Sequence, residues 1–473
     1  MRKLSRKVCL LLAGTGLGWA WESPANAASL VDRADIVFAD NADMSVELVD
    51  YQKKLERQQM RACKEAEREQ NRIAREYARA QKRACRDANK ACRGGGGGMD
   101  WGGWYDTGAG WCGDGYDSMC GMFGDPLDDP WTLSGAIADA MCLDEPCIDV
   151  GGWFQFGYTN KSDGVFNTVP HALNLHQAWF YVESAADGSE GFDVGGRIDV
   201  VYGIDAQNTQ AFGNRPGRWD FENGYDHGEY GWAIPQAYGE LAYDAFSVKI
   251  GHFYTLQGFE VVGATGNFFY SHLLTMNFME PFTHTGAVGT YQIDDDTALY
   301  GGWVAGWDTG FDRLNGGSAF HGGFSFSPME NMSFIYTTTA GNFGWSGEGY
   351  AQSIVVTTQL TDELTSVIGG DLIHTNEGVL GGTTFHGISM YNFLLYSISD
   401  RTAVGMRNEW AKFDGTSYQV LTVGLNYKPM ANMVIRPEYR YQWCPGAEGA
   451  TPKNPLGIPV DESILGIDAI ITF

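Results

Sequence analysis

After residue 27 this 473-residue chain contains no apolar run long enough for a membrane-crossing helix, which takes about 20 consecutive residues. It also lacks GxSxG, HExxH and a phosphate-cradling glycine loop, the compact motifs of hydrolases, zinc peptidases and nucleotide enzymes. Ser271 and His272 are neighbours, so on a strand they point to opposite faces and make no nucleophile–base pair. "DGYD" (114–117) and "DDD" (294–296) lack the spacing of a calcium loop, and the cysteine pairs lack that of a zinc site. No catalytic residue, cofactor or metal is therefore expected. Basic residues are scarce after position 93: residues 94–473 hold thirteen Lys/Arg against forty-five Asp/Glu, a net of -32. What the chain has instead is glycine (63 residues) and aromatics (14%), with charged residues only 19%.

The N-terminus reads as an export signal. Arg2, Lys3, Arg6 and Lys7 precede a short apolar core at 8–21, and Ala25-x-Ala27 offers a cleavage site, giving a signal peptide over 1–27. Export places the eight remaining cysteines in an oxidising compartment. Cys112–Cys120 and Cys142–Cys147 are the local pairing candidates.

A segment at 28–44 leads into 45–93, a Pro- and Gly-free stretch rich in Ala, Glu, Lys, Arg and Gln that reads as one long helix. Residues 51–93 carry fourteen Lys/Arg against six Asp/Glu. Small and apolar residues recur in steps of three, four or seven, which fits a thin coiled-coil seam. Cys85 and Cys92 lie one heptad apart, where interchain disulfides can form. A solvated single helix is the other reading. Exported and basic, it suits an acidic envelope polymer better than nucleic acid. Five glycines (94–98) then form a joint, and 94–150 is a Gly/Trp/Cys-rich connector with a short helix expected at 132–143.

From 151 to 473 the rhythm becomes period-two alternation in short segments, sixteen in all: 151–158, 174–184, 191–203, 234–243, 247–255, 285–293, 297–307, 317–327, 331–340, 350–360, 363–374, 386–398, 401–412, 417–428, 431–443 and 463–473. Tight turns ("AADGSE", "DDD", "SPME", "TD", "PMA") alternate with longer links such as 204–233, 256–284 and 444–462. Segments of about 9–11 residues, even in number and linked alternately short and long, predict an all-β fold. It is an antiparallel transmembrane β-barrel of about sixteen strands, preceded by the long helix. Because lipid leaves no edge open, the last strand must pair with the first. Alternation also assigns a lumen face: Arg197 and Asp199 oppose Ile198 and Val200, Arg407 and Glu409 share a face, and Arg436, Glu438 and Arg440 oppose Tyr439 and Tyr441. Asp468 faces inward in the last strand. Such charges either stiffen the wall through cross-strand pairs or meet a solute, and both roles can coexist.

Three strings, "GGRIDVVYGIDAQ" (195–207), "VKIGHFYTLQGFEVVGATGNFFYSHLLTMNFMEPFTHTG" (248–286) and "YKPMANMVIRPEYRYQW" (427–443), resemble a family of bacterial outer-membrane β-barrel porins over roughly 150–473. The resemblance implies passive passage of small hydrophilic solutes or ions through an outer-membrane channel; the expected partners are the lipid bilayer and sister copies in a trimer. It also implies that the link 256–284 folds inward as a constriction, which nominates Glu260, Glu280 and His284, with Tyr270 and Phe282 as bulk; the other reading is that this link caps the barrel mouth. The excess of acid over base implies a mild preference for cations. The terminal "SILGIDAIITF", ending on Phe473, resembles the signal by which barrel-assembly machinery recognises its clients. A structural anchor, with the basic helix in the periplasm gripping the envelope, is the alternative function.

Overall fold

The computed structural model describes residues 130–141, 148–294, 296–329, 331–377, 384–445, 458–459 and 461–473. The expected helix at 45–93 and Cys85, Cys92, Cys112, Cys120, Cys142 and Cys147 lie outside the described residues. Cys444 is a buried free thiol.

The alternating segments become sixteen strands: β1 (Asp149–Thr159), β2 (Asn174–Ser184), β3 (Phe192–Gly203), β4 (Gly231–Tyr243), β5 (Phe246–Tyr254), β6 (Thr283–Asp294), β7 (Thr297–Val304) and β8 (Ser318–Met329) form the first half. The second half comprises β9 (Met332–Asn342), β10 (Glu348–Gln359), β11 (Leu364–Thr375), β12 (Phe385–Ser399), β13 (Thr402–Phe413), β14 (Thr416–Met430), β15 (Met433–Trp443) and β16 (Glu462–Thr472). Each pairs with its neighbours in sequence, and β1 pairs with β16 to close the barrel. Every strand therefore has both edges hydrogen-bonded, the condition for a sheet in lipid.

Closure runs antiparallel from Trp153 opposite Thr472 to Thr159 opposite Gly466. The main chains of Gly152 and Phe473 exchange two hydrogen bonds of 3.0 Å. The Phe473 ring packs on Phe154 and Phe180, with centroids at 5.3 and 5.2 Å. In β16, Leu465 and Ile467 are exposed on the outside while Asp468 and Ile470 are buried within. β15 alternates the same way, with Arg436, Glu438, Arg440 and Gln442 buried and Tyr439 exposed.

The turns β2–β3, β4–β5, β6–β7, β8–β9, β10–β11, β12–β13 and β14–β15, all short, fall at one end of the barrel. The other end carries the links 160–173, 204–230, 255–282, 305–317, 376–384 and 444–461, together with two short ones at 343–347 and 414–415. The last is an Asp414-Gly415 turn with φ of 45° and 90°, the left-handed pair that a two-residue hairpin requires. Some bounds differ from the sequence pattern. β7 stops at Val304, before Gly306 with φ 130°, and β6 starts at Thr283, so His284 belongs to the wall and not to the preceding link.

Helix α1 (Leu133–Met141) lies at the tight-turn end. The Asn432 side chain accepts from the Trp131 N–H (2.8 Å) and donates to the Trp131 carbonyl (2.6 Å), as a strand partner would. Ser134 Oγ accepts from the Val150 N–H at 2.6 Å, fixing the helix to the start of β1.

Replacing Phe473 by Ala removes two aromatic contacts worth about 0.5–1.5 kcal/mol each. The folded fraction, measured by heat-modifiable mobility on gels, is expected to fall. An unchanged yield would show that the ring is dispensable for closure.

Candidate functional site

The link 255–282 between β5 and β6 turns into the barrel. Its sequence dictates this, since Val262, Phe269, Leu273, Leu274, Met276 and Met279 would be stranded in water on an outer loop and are instead almost fully buried. They pack against inward-facing Trp153, Trp179, Val355, Val367, Tyr391 and Phe393, or against Ile373 and Phe413. Within it lie a 3-10 turn (Ala264–Gly266) and helix α2 (Leu274–Met279).

Glycines on the wall make room for the ring cluster at 268–270. A β-carbon on Gly424 would lie 3.1 Å from the Phe269 ring, and one on Gly466 would lie 2.9 Å from Tyr270. Gly405 likewise faces Phe268. At the start of the link, Gly258 has φ 90° and a β-carbon there would overlap the Glu280 carboxyl, so only glycine fits.

A buried loop must satisfy its own N–H and C=O groups. Here the wall does so with opposite charges in turn. Arg407 donates to the Ser271 carbonyl (2.7 Å), Arg440 to the His272 carbonyl (2.7 Å), and Arg436 to those of Ala264 (3.0 Å) and Asn267 (2.6 Å). Glu438 accepts the N–H groups of Tyr270 (2.9 Å) and Ser271 (3.1 Å). Glu409 accepts those of Leu274 (2.9 Å) and Thr275 (2.6 Å). Across the lumen, Gln177 on β2 donates to the Val262 carbonyl (2.8 Å) and accepts from the Ala264 N–H (3.0 Å). His321 on β8 accepts the Leu256 N–H at 3.1 Å.

Two ion pairs complete the clamp. Arg407 meets Glu260 of the link at 2.5 Å, and Arg436 meets Asp468 of the neighbouring strand at 2.5 Å; all four side chains are at most 3% exposed. The Arg407 guanidinium also lies 4.9 Å from the Phe269 ring centre, a desolvated cation–π contact.

The nominated residues are thus placed as follows. Glu260, Tyr270, Glu280 and Phe282 are buried in the inward-folded link, and His284 sits on β6 with its Nδ1 2.9 Å from the Gly306 carbonyl. Tyr270 bonds His176 at 2.6 Å, and His176 bonds Asp205 at 2.9 Å. Arg407, Glu409, Arg436, Glu438, Arg440 and Asp468 all converge on or beside the link. Arg197 stands apart, toward the tight-turn end, paired with Glu183 and Asp199 at 2.6 Å each. On the same tight-turn side, Arg197, Glu240, Lys249, Tyr300 and Ser325 are only part-buried.

His176, Gln177 and Asp205 were not apparent from alternation. A β-bulge explains this, because pairing shifts from Gln155–Gln177 to Phe156–Leu175 and leaves His176 as the extra residue. Both adjacent side chains are then buried. The His272 imidazole, also in the link, is pushed down to about 4 by burial, so it is neutral beside the Arg407 and Arg436 charges. Ser271 contacts Arg407 Nη2 at 2.8 Å and Arg440 Nη1 at 3.4 Å.

Among known proteins, the family model described as "Putative beta-barrel porin-2, OmpL-like" matches residues 147–473. Solved structures similar to this chain include OmpT, an outer membrane protein of Vibrio cholerae (10% identity, 69% of this chain and 99% of that one, TM-score 0.47). Another is the outer membrane channel DcaP of Acinetobacter baumannii (10% identity, 69% and 97%, TM-score 0.47). A third is an anion-selective porin from Comamonas acidovorans (11% identity, 69% and 99%, TM-score 0.49). No curated protein matches.

Removing one member of the buried pair, as in Arg407→Met, leaves Glu260 charged and uncompensated and is expected to destabilise the barrel by about 3–5 kcal/mol. The double change with Glu260→Gln should cost less; denaturant titration in detergent would reveal a mistake if the two costs simply added.

Burial holds the Glu280 carboxyl well above its ordinary value, and Asp371, Glu260 and Glu409 reinforce the shift. The folded protein therefore keeps a proton that the unfolded chain gives up above the ordinary carboxyl range. Stability falls as pH rises from that range toward the raised value. Glu280→Gln should flatten this dependence in melting curves taken from pH 5 to 9, whereas an identical slope in the variant would contradict the assignment.

Proposed function

The chain belongs to the OmpL-like beta-barrel porin-2 family of outer-membrane barrels, and on that premise we propose that it forms a narrow passive channel for ions and small hydrophilic solutes. The observation that carries this reading is the link 255–282, which enters the lumen above a part-exposed polar vestibule and is fastened to the wall around it. A loop held in this way sets pore width by geometry, with no moving part needed for selection by size.

Charge supports a preference for cations. Besides the protonated Glu280, the carboxyl groups of Glu260, Asp371, Glu409, Glu438 and Asp468 stand in the constricted layer against Arg407, Arg436 and Arg440. Four of these acids are already matched by arginines or by amide donors, so the preference is mild. In this reading the tight turns and α1 face the periplasm and the long links face outward.

The alternative is a sealed outer-membrane anchor, with the basic N-terminal helix engaging an acidic envelope polymer. It draws on the apolar filling of the constricted layer by Leu273, Met276, Phe269 and Phe393, all at most 2% exposed.

Planar-bilayer recording separates the two. The channel reading expects small stepwise openings and a cation-selective reversal potential in a salt gradient. A variant carrying Arg407→Ala with Arg440→Ala, which loosens the link, should conduct severalfold more. Silence from a well-folded barrel would favour the anchor, and an anion-selective potential would refute the charge assignment.

A further inference from the structure

Outside the lumen, His374 on β11 and His386 on β12 stand directly opposite each other. They lie on the outer face, one pair beyond Leu372 and Ile388, toward the long-link end. Their Nδ1 atoms are 3.1 Å apart, with ring centroids at 4.4 Å and planes 32° from parallel. Tyr350 on β10, opposite His374, brings its ring to 5.6 Å.

From this geometry we propose that His374 and His386 form a two-histidine site for a divalent transition-metal ion such as Cu2+ or Zn2+. Without metal, one Nδ1–H donates to the other Nδ1. With both protons moved to Nε2, both Nδ1 lone pairs become free for one ion. Bonds of about 2.0–2.1 Å put cis nitrogens about 2.9 Å apart at a right angle and about 3.4 Å apart in a tetrahedron. The observed 3.1 Å separation falls between these limits. Imidazole suits copper, zinc and nickel, and an all-nitrogen pair disfavours magnesium and calcium.

The surroundings leave space for the remaining ligands. A groove of about 610 Å³, lined by Ser318, Asn342, Glu348, Tyr350, His374 and Asn376, opens beside the pair. Glu348 adds negative charge there. Lys412 lies opposite Ile388, and Asp414 accepts the His386 N–H through Oδ1 at 2.8 Å. Among the described residues no third His, Cys, Asp or Glu is grouped with such a pair, so water completes the shell and the ion exchanges readily. Bound, it clips β11 to β12 at the rim. None of this depends on conduction through the lumen.

The test uses the full chain folded in detergent, with Cu2+ alone followed by electron paramagnetic resonance and Zn2+ alone by calorimetry. We expect one copper signal coupled to two nitrogens and a matching zinc equivalent. Both are lost in His374→Ala and in His386→Gln, and both are kept in His227→Ala. Heat-modifiable mobility verifies that each variant is folded. Metal held elsewhere, for example by cysteines, survives in all three. A two-nitrogen signal that persists in both pair variants, or its absence from the unaltered chain, would overturn the assignment.

Discussion

A length of main chain inside a barrel has to find partners for every N–H and C=O group it takes out of water, and this requirement organises the whole lumen. The wall answers with both signs of charge on alternate residues. Arg436, Glu438 and Arg440 occupy successive inward positions of β15, and Arg407 and Glu409 do so on β13. Arginines take loop carbonyls and glutamates take loop amides. Each charge is buried only because it meets a complementary dipole or ion, since an unpaired one would cost several kcal/mol. The inward alternation that in an open pore would face water here fastens a constriction.

The loop and the wall fit each other in shape as well. Phe268, Phe269 and Tyr270 bring three bulky rings to consecutive positions, and Gly405, Gly424 and Gly466 on β13, β14 and β16 receive them. Glycine weakens a strand, but in a fully paired barrel the hydrogen-bonded neighbours hold it. Below this layer the side chains of Glu240, Lys249 and Ser325 are part-exposed. Side chains on the tight-turn side of the lumen are thus part-exposed and those beyond it packed, and the proposed function rests on that contrast.

Much of the architecture was legible in the sequence because barrels separate lipid from lumen residue by residue. Alternation in "MVIRPEYRYQW" gave the facing of β15, and the turn-and-link rhythm gave the strand count. The nature of the lumen layer was harder to foresee. Periodicity says that Arg407 points inward but not that Glu260, 147 positions away in sequence, meets it there. His176 was hidden by the bulge, and His284 fell one residue outside the strand drawn at 285–293, whereas the strand begins at Thr283. The His374–His386 pair escapes motif reading altogether, since its two ligands come from different strands and are joined only by register.

Hydrogen exchange on the folded barrel tests the clamp most directly. The amides of Tyr270, Ser271, Leu274 and Thr275 belong to a loop, yet their acceptors are Glu438 and Glu409 in the interior. The account predicts that these four exchange as slowly as amides in β13 and β15, and that Glu409→Ala speeds Leu274 and Thr275 while leaving the strands protected. Rapid exchange at all four in the unaltered protein would contradict it.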